Sequence, residues 1–199
     1  MNKKQLERRK RLKTDFIYYA KNCLNIRTKS DGVRSFILNK AQLYIHDKIE
    51  EQRAKTGKVR AILLKGRQQG ASTYVEGRFT WKTTHLKGVS AFILTHEESA
   101  SQTLFSMSKR YYDMLPDAVK PVKSASNSRE LIFSGLDSGY KVGTAGNKSV
   151  GRSQTNQFFH GSEVAYWPNA AEHAKGILQT VPDAKNTEVI FESTANGVG

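Results

Sequence analysis

Apolar positions in this chain fall into short runs broken by polar, glycine-containing turns, and the runs alternate between two periodicities. An aromatic-rich stretch from Asp15 to Leu24 predicts a packed helix, Lys29 to Gly32 supplies turn residues, and Lys40 to Lys55 predicts a second helix with Gly57 beyond its end. Val59 to Leu64 is a short apolar strand that runs into a glycine-rich turn, after which Ser72 to Lys87 can continue as a helix. Ser90 to Thr95 predicts a second buried strand, followed by an amphipathic helix from Glu97 to Leu115 that stops at Pro116. Arg129 to Ser134 and Gly139 to Gly143 predict two short strands, a hairpin inserted into the alternation, and Gly143 to Arg152 is loop-like. Asn156 to His160 predicts a core strand, Asn169 to Val181 a helix opened by Pro168, and Thr187 to Glu192 a strand running into Ser-Thr-Ala-Asn-Gly. This order predicts an α/β fold with a mostly parallel central sheet flanked by helices. Residues 1–57 form an N-terminal helical region and 58–199 the core.

Charge changes the picture by pointing to a partner. Thirty-two Lys and Arg against 18 Asp and Glu give a formal net charge of +14. Such an excess favours polyanions through phosphate neutralisation and counterion release, so nucleic acid is the expected partner. Residues 1–13 concentrate basic side chains and have few apolar anchors, which fits a solvated helix end or a mobile arm. No long apolar run or lipidation signature appears, so no membrane partner is expected and the chain reads as soluble and intracellular. The lone Cys23 excludes an intrachain disulfide, and its apolar neighbours suit a buried small side chain.

The turn after the first core strand carries the strongest candidate chemistry. A standard phosphate loop is G-x-x-x-x-G-K-[ST], in which backbone N–H groups and a helix N-terminus cradle phosphates, the lysine reaches their oxygens and the hydroxyl holds Mg²⁺. Lys65-Gly66-Arg67-Gln68-Gln69-Gly70-Ala71-Ser72 matches it with one displacement: Ala71 stands at the lysine position, and Lys65 stands where the first glycine is expected. Arg67 is a second candidate for the cationic role. Alone, the segment is also compatible with a plain strand-to-helix turn, the lesser of the two readings.

Two later segments weigh on that choice. Nucleotide hydrolases of this class set an acid at the end of a neighbouring strand, one carboxylate ordering Mg²⁺ and another polarising the attacking water. Phe158-Phe-His-Gly-Ser-Glu163 offers Glu163 as the catalytic base, while Ser162 occupies the usual place of the metal-linked Asp and would reach Mg²⁺ only through a water. The alternative makes Glu163 a helix N-terminal charge. One strand later, Ser193, Thr194 and Ala195 leave the core toward the edge where α/β sheets bind ligands, a place from which hydroxyls can sense a γ-phosphate. Arg152, with Lys148 as runner-up, is the candidate for a transition-state guanidinium on the preceding basic loop. Gln42, ahead of the loop strand, carries the donor and acceptor needed to read an adenine edge.

Together, Gln42, Lys65 to Thr73, His160-Gly-Ser-Glu-Val-Ala-Tyr-Trp167 and Glu192-Ser-Thr-Ala-Asn-Gly197 resemble the ATPase domain of the large terminase subunit, the DNA-packaging motor of tailed bacteriophages. The resemblance implies a P-loop NTPase fold of the additional-strand type, with ATP and Mg²⁺ as cofactors. It implies translocation of double-stranded DNA into a procapsid by a homo-oligomeric ring working with a portal protein and a small terminase subunit, in the cytoplasm of an infected bacterial host. By the same resemblance Lys65 is the displaced loop lysine, Ser72 the Mg²⁺ hydroxyl, Glu163 the catalytic carboxylate, Ser193 and Thr194 the coupling motif, Gln42 the adenine reader and Arg152 a trans-acting finger. Ser162 departs from the Asp usual in the family. The nuclease domain of full-length terminases is not expected within these residues, and no nuclease activity with it. A helicase or translocase, or a DNA-binding domain with a decayed loop, are the competing readings.

Overall fold

The computed structural model describes residues 2–28, 30–145 and 155–197. Helices α1 (Lys3–Thr14) and α2 (Phe16–Cys23) lead into a small antiparallel hairpin, β1 (Asn25–Arg27) and β2 (Val33–Ser35). Then come α3 (Lys40–Thr56), β3 (Val59–Leu64), α4 (Ala71–Thr83), β4 (Ser90–Thr95) and α5 (Glu98–Asp113). The short strands β5 (Ala125–Ser126), β6 (Glu130–Phe133) and β7 (Ser138–Thr144) precede β8 (Phe158–Ser162), α6 (Ala170–Leu178) and β9 (Glu188–Ser193).

Seven strands form one sheet in the order β3-β9-β8-β4-β7-β6-β5. The first five of these run parallel, whereas β6 pairs antiparallel with both β7 and β5. The expected inserted hairpin is thus present, and it extends the sheet at one edge. Apolar runs locate the core strands, but β8 lies two residues beyond the expected Asn156 to His160 and carries its pattern through Ser162. That shift matters, because it puts Ser162 inside the sheet and Glu163 at its rim.

Most of the core lies between the sheet and a layer of helices centred on α4. Tyr74, Val75 and Phe79 of α4 pack with Phe105 and Tyr111 of α5 and with Ile93, Phe158 and Ile190 of the sheet. Leu12, Phe16, Tyr19 and Leu24 belong to the same cluster, and Trp81 Nε1 donates to the Leu12 carbonyl at 2.9 Å. The N-terminal helical region therefore shares the core's apolar interior. Helix α4 ends at Thr83, short of the expected Lys87, and Thr83 and Thr84 hydroxyls turn back onto the carbonyls of Phe79 and Thr80. The opposite face of the sheet is covered by Trp167, Ile177 and Val181 against Phe92, Phe159 and Val189.

The loop strand β3 stands at the edge of the sheet and pairs with β9 alone among the described strands. Successive side chains of a strand point to opposite faces. Val59, Ala61 and Leu63 accordingly face the helical core, while Ile62 and Leu64 are 81 % and 79 % exposed on the other side.

Candidate nucleotide site

The carboxyl ends of β3, β8 and β9 meet at one cleft of about 440 Å³, lined by Lys65, Arg67, Gln68, His96, Glu163, Tyr166 and Thr194. The turn from β3 to α4 forms its base. Lys65 N–H donates to the Ser193 carbonyl at 3.0 Å, so the loop leaves the sheet while still paired with β9. Gln68 and Gly70 both hold positive φ, 62° and 78°. A Cβ on Gly70 would lie 2.6 Å from Gln42 Nε2, so only glycine satisfies both the backbone and the close approach. No side chain caps α4, and its first N–H groups are left to an incoming anion.

Ala71 opens α4 and is 1 % exposed. A lysine there would start from a buried Cα, whereas Lys65 enters the cleft from the end of β3. Its Nζ lies 2.9 Å from Glu163 Oε1 and 2.7 Å from Glu192 Oε2. The displaced lysine thus bridges two acids, the predicted Glu163 and Glu192, which heads the 192–197 segment but has no role assigned to it there. Glu192 is fully buried and ends the apolar run of β9. An acid inside a core strand requires charged or hydrogen-bonding partners, and that requirement is the signal in the sequence that points to it. His96 belongs to no motif and Tyr166 sits in the 160–167 segment without an assigned role; their rings stand 6.0 Å apart in the wall of the cleft.

Glu163 sits at φ +52°, ψ +48°, a left-handed conformation that is uncommon for a residue other than glycine. The turn aims its carboxylate back across the strand ends. Oε1 accepts from Lys65, and Oε2 accepts from the Thr194 N–H and hydroxyl, each at 3.1 Å, with Ser193 Oγ at 3.4 Å. Desolvation pushes this carboxyl up, but the Lys65 contact and the Thr194 donors outweigh it and hold it below the ordinary glutamate value. The segments are also laced behind the site. Tyr166 donates to the Ala195 carbonyl, Asn196 to the Ala165 carbonyl, and the Ala165 N–H to Ser193 Oγ.

Ser72 and Ser162 do not point at open cleft. Each hydroxyl donates to Glu192 Oε1 at 2.7 Å, from α4 and β8 respectively. The neighbouring Gly161 lets the rings of Phe191 and Trp167 close over β8, since a Cβ there would meet Phe191 at 2.5 Å. Hydroxyl and carboxylate oxygens are the hard donors Mg²⁺ prefers, so this set fits that ion. Among the described residues no group of three or more His, Cys, Asp or Glu could hold a metal by itself. Such a site would be completed by the phosphates of a nucleotide, as is usual for Mg²⁺.

Gln42 is nearly buried and touches the loop directly. Its Oε1 accepts from the Asn39 N–H at 2.9 Å in a capping box for α3, and its Nε2 donates to the Gly70 carbonyl at 2.8 Å. Gln42, expected to read an adenine edge, is seen to brace the loop, with Asn39 Nδ2 on the Gln69 carbonyl beside it. Gly66 lies against the Gln69 side chain, and the Thr73 carbonyl accepts from Tyr111. Arg152 and Lys148 lie outside the described residues.

No protein-family model matches the chain, and no curated protein does. Solved structures do. The large terminase of bacteriophage HK97 superposes with a TM-score of 0.70 at 14 % identity, over 91 % of this chain and 37 % of that one. The large terminase ATPase domain of Thermus phage P74-26 superposes with a TM-score of 0.60 at 18 % identity, over 81 % of this chain and 66 % of that one. A third large terminase, from a thermophilic bacteriophage, gives 0.57 at 10 % identity over 78 % and 39 %. The chain therefore has the P-loop NTPase fold of those ATPase domains, and it spans between about a third and two thirds of their chains.

Proposed function

We propose that this chain is the ATP-hydrolysing motor domain of a large terminase subunit, coupling hydrolysis to the movement of double-stranded DNA into a procapsid. The observation that carries the reading is the convergence of Lys65, Ser72, Glu163, Ser193 and Thr194, drawn from four elements, on the neighbouring carboxylates of Glu163 and Glu192 at the carboxyl ends of parallel strands. A decayed loop would have no need to keep this set in mutual contact.

ATP enters with its phosphates over the loop from Lys65 to Thr73, against the uncapped N–H groups of α4. Lys65 then turns from the carboxylates to phosphate oxygens. Glu163 loses the neighbour that held its carboxyl low, so its basicity rises as substrate arrives, and it orients and deprotonates the attacking water. Mg²⁺, when bound with ATP, offsets the charge on the phosphate oxygens, and Ser72 is the hydroxyl placed to hold it. Ser193 and Thr194 grip the same Glu163, so any change in its engagement is passed to 193–196 and, through Ala165 and Tyr166, to the surface. Gln42 retains one amide hydrogen and one lone pair for the adenine edge. Arg152 acts as the finger, supplied by a neighbour in a homo-oligomeric ring seated on a portal, with a small terminase subunit as further partner. The net charge of +14 suits a DNA-phosphate track, and no described helix is long and apolar enough to cross a membrane.

ATP turnover measured with and without double-stranded DNA tests the reading. DNA-stimulated turnover is expected in the wild type and is expected to be lost in Lys65→Ala and Glu163→Ala. Unchanged turnover in both variants rejects the assignment. Specific activity that climbs with protein concentration and disappears in Arg152→Ala would place the finger in trans.

A further inference from the structure

The acid expected at position 162 is absent, yet an acid is present in the place it would serve. Ser162 and Glu192 are paired across adjacent parallel strands, in register with each other. Ser72, the loop hydroxyl, and Ser162, which stands at the position of the missing acid, donate to the same oxygen, Glu192 Oε1, at 2.7 Å each. The carboxylate is wholly buried, and its other oxygen meets Lys65 Nζ at 2.7 Å. His160 Nε2, two residues deeper on β8, lies 3.5 Å from Oε1.

We propose that Glu192 is the metal-side acid of this site, moved one strand over from its usual place, with Ser162 serving to orient it. The proposal rests on the nucleotide reading of the same cleft and adds to it the residue that reading lacks. Charge balance supports it. One lysine, Lys65, faces two carboxylates, Glu163 and Glu192, so the cluster is short of positive charge even before the lysine turns to a phosphate. Once Lys65 has turned, a fully buried carboxylate keeps only two hydroxyls and the more distant His160 imidazole among the described residues, a costly arrangement unless another cation replaces the lysine. A divalent ion arriving with the phosphates supplies that charge at the oxygen already held by Ser72. Glu192 thereby makes lysine release and metal entry two halves of one exchange.

The full chain can be tested with Mn²⁺ as the probe, read by electron paramagnetic resonance in the presence of a non-hydrolysable ATP analogue, with analogue binding in EDTA measured separately by fluorescence. Glu192→Gln frees Lys65 of one carboxylate and is expected to bind the analogue in EDTA at least as tightly as wild type, while Mn²⁺ affinity in the ternary complex falls about 10–100-fold. Glu192→Gln combined with Ser162→Asp, which returns an acid to β8, is expected to recover most of that loss. Glu192→Asp keeps the charge opposite Lys65 but withdraws the carboxylate by one methylene, and must also weaken Mn²⁺. Wild-type Mn²⁺ affinity in Glu192→Gln and Glu192→Asp overturns the proposal. A wild-type protein that binds no analogue, with or without metal, would instead overturn the nucleotide reading on which it rests.

Discussion

Strand β9 begins on a buried glutamate and carries another one residue before its end, and the two ends are built differently. At its start, Glu188 receives Arg78 Nε and Nη2 at 2.8 and 2.9 Å and Lys82 Nζ at 2.9 Å, and Arg78 also reaches Glu50 of α3 at 2.7 Å. Arg53 also pairs with Glu50, so both acids there are fully served by cations, and Arg78 is wholly buried. At its end, Glu192 is equally buried but shares its one lysine with Glu163 in the wall of a cleft. Helix α4 serves both ends, with Ser72 in its first turn and Arg78 and Lys82 further along. A closed set of charges has nothing to exchange and fastens α3, α4 and β9 together. A set short of one positive charge is prepared for a charged ligand.

The sharpest way to separate the two ends is to disable one without the other. Glu163→Gln keeps a hydrogen-bonding side chain on the same turn and leaves Lys65 to Glu192, so thermal unfolding should stay close to wild type. Turnover should fall by about 10²–10⁴, the usual contribution of a positioned base. A steady-state ATPase assay beside a thermal melt checks both, and retained turnover removes Glu163 from the mechanism. Arg78→Met reverses the pattern. It leaves Glu188 with Lys82 alone in a dry site, and breaking such a pair costs about 3–5 kcal/mol. Urea unfolding should show that loss, while the folded fraction keeps wild-type turnover per molecule.

Much of this arrangement is legible in the amino-acid sequence, and the parts that are not share a cause. The strands from Val59, Ser90 and Thr187 stand out as apolar runs between turns, and Lys65, Ser72, Glu163, Ser193 and Thr194 are marked by their place after such runs. The hairpin of β1 and β2 escapes that pattern because its short strands are mostly exposed and polar, with no alternation to detect. Glu192 escapes it because it closes an apolar run, where an acid reads as the strand's polar boundary. Glu188 and Glu76 are hidden in the same way. Glu76 lies in the middle of α4, which is buried along nearly its whole length. It accepts from Ser108 and Tyr140 and lies 2.6 Å from His160 Nδ1. A helix buried all round gives no amphipathic stripe, so periodicity does not tell which of its charges face inward.

Acid titration offers a finer test of the closed end. Burial pushes Glu188 up, but the charges of Arg78 and Lys82 outweigh it and hold it at about 2, down from an ordinary 4.5. A carboxyl whose value is lowered by folding contributes stability that is fully present above the unfolded value and is lost as pH falls toward the folded one. The wild type should therefore lose stability between about pH 4.5 and 2. Glu188→Gln should be less stable at neutral pH and show a flatter slope in that window. An unchanged slope would mean that the acid loss arises elsewhere.

The smallest expected effect belongs to the open end and asks what holds the loop in shape. Gly70→Ala meets two obstacles, a φ of +78° and Gln42 Nε2 within 2.6 Å of the new Cβ. A left-handed alanine costs about 1–3 kcal/mol, and the displaced glutamine adds the loss of its bond to the Gly70 carbonyl. Combining Gly70→Ala with Gln42→Ala removes the clash and leaves the backbone strain. Contacting residues are non-additive, so the double variant should lose less stability than the sum of the two single losses, by about 0.5–3 kcal/mol. Equality with that sum would mean that Gln42 does not brace the loop, and its amide would then be free for an adenine edge alone. A clear shortfall means that the glutamine fixes the loop before any nucleotide arrives, and that the two roles share one side chain.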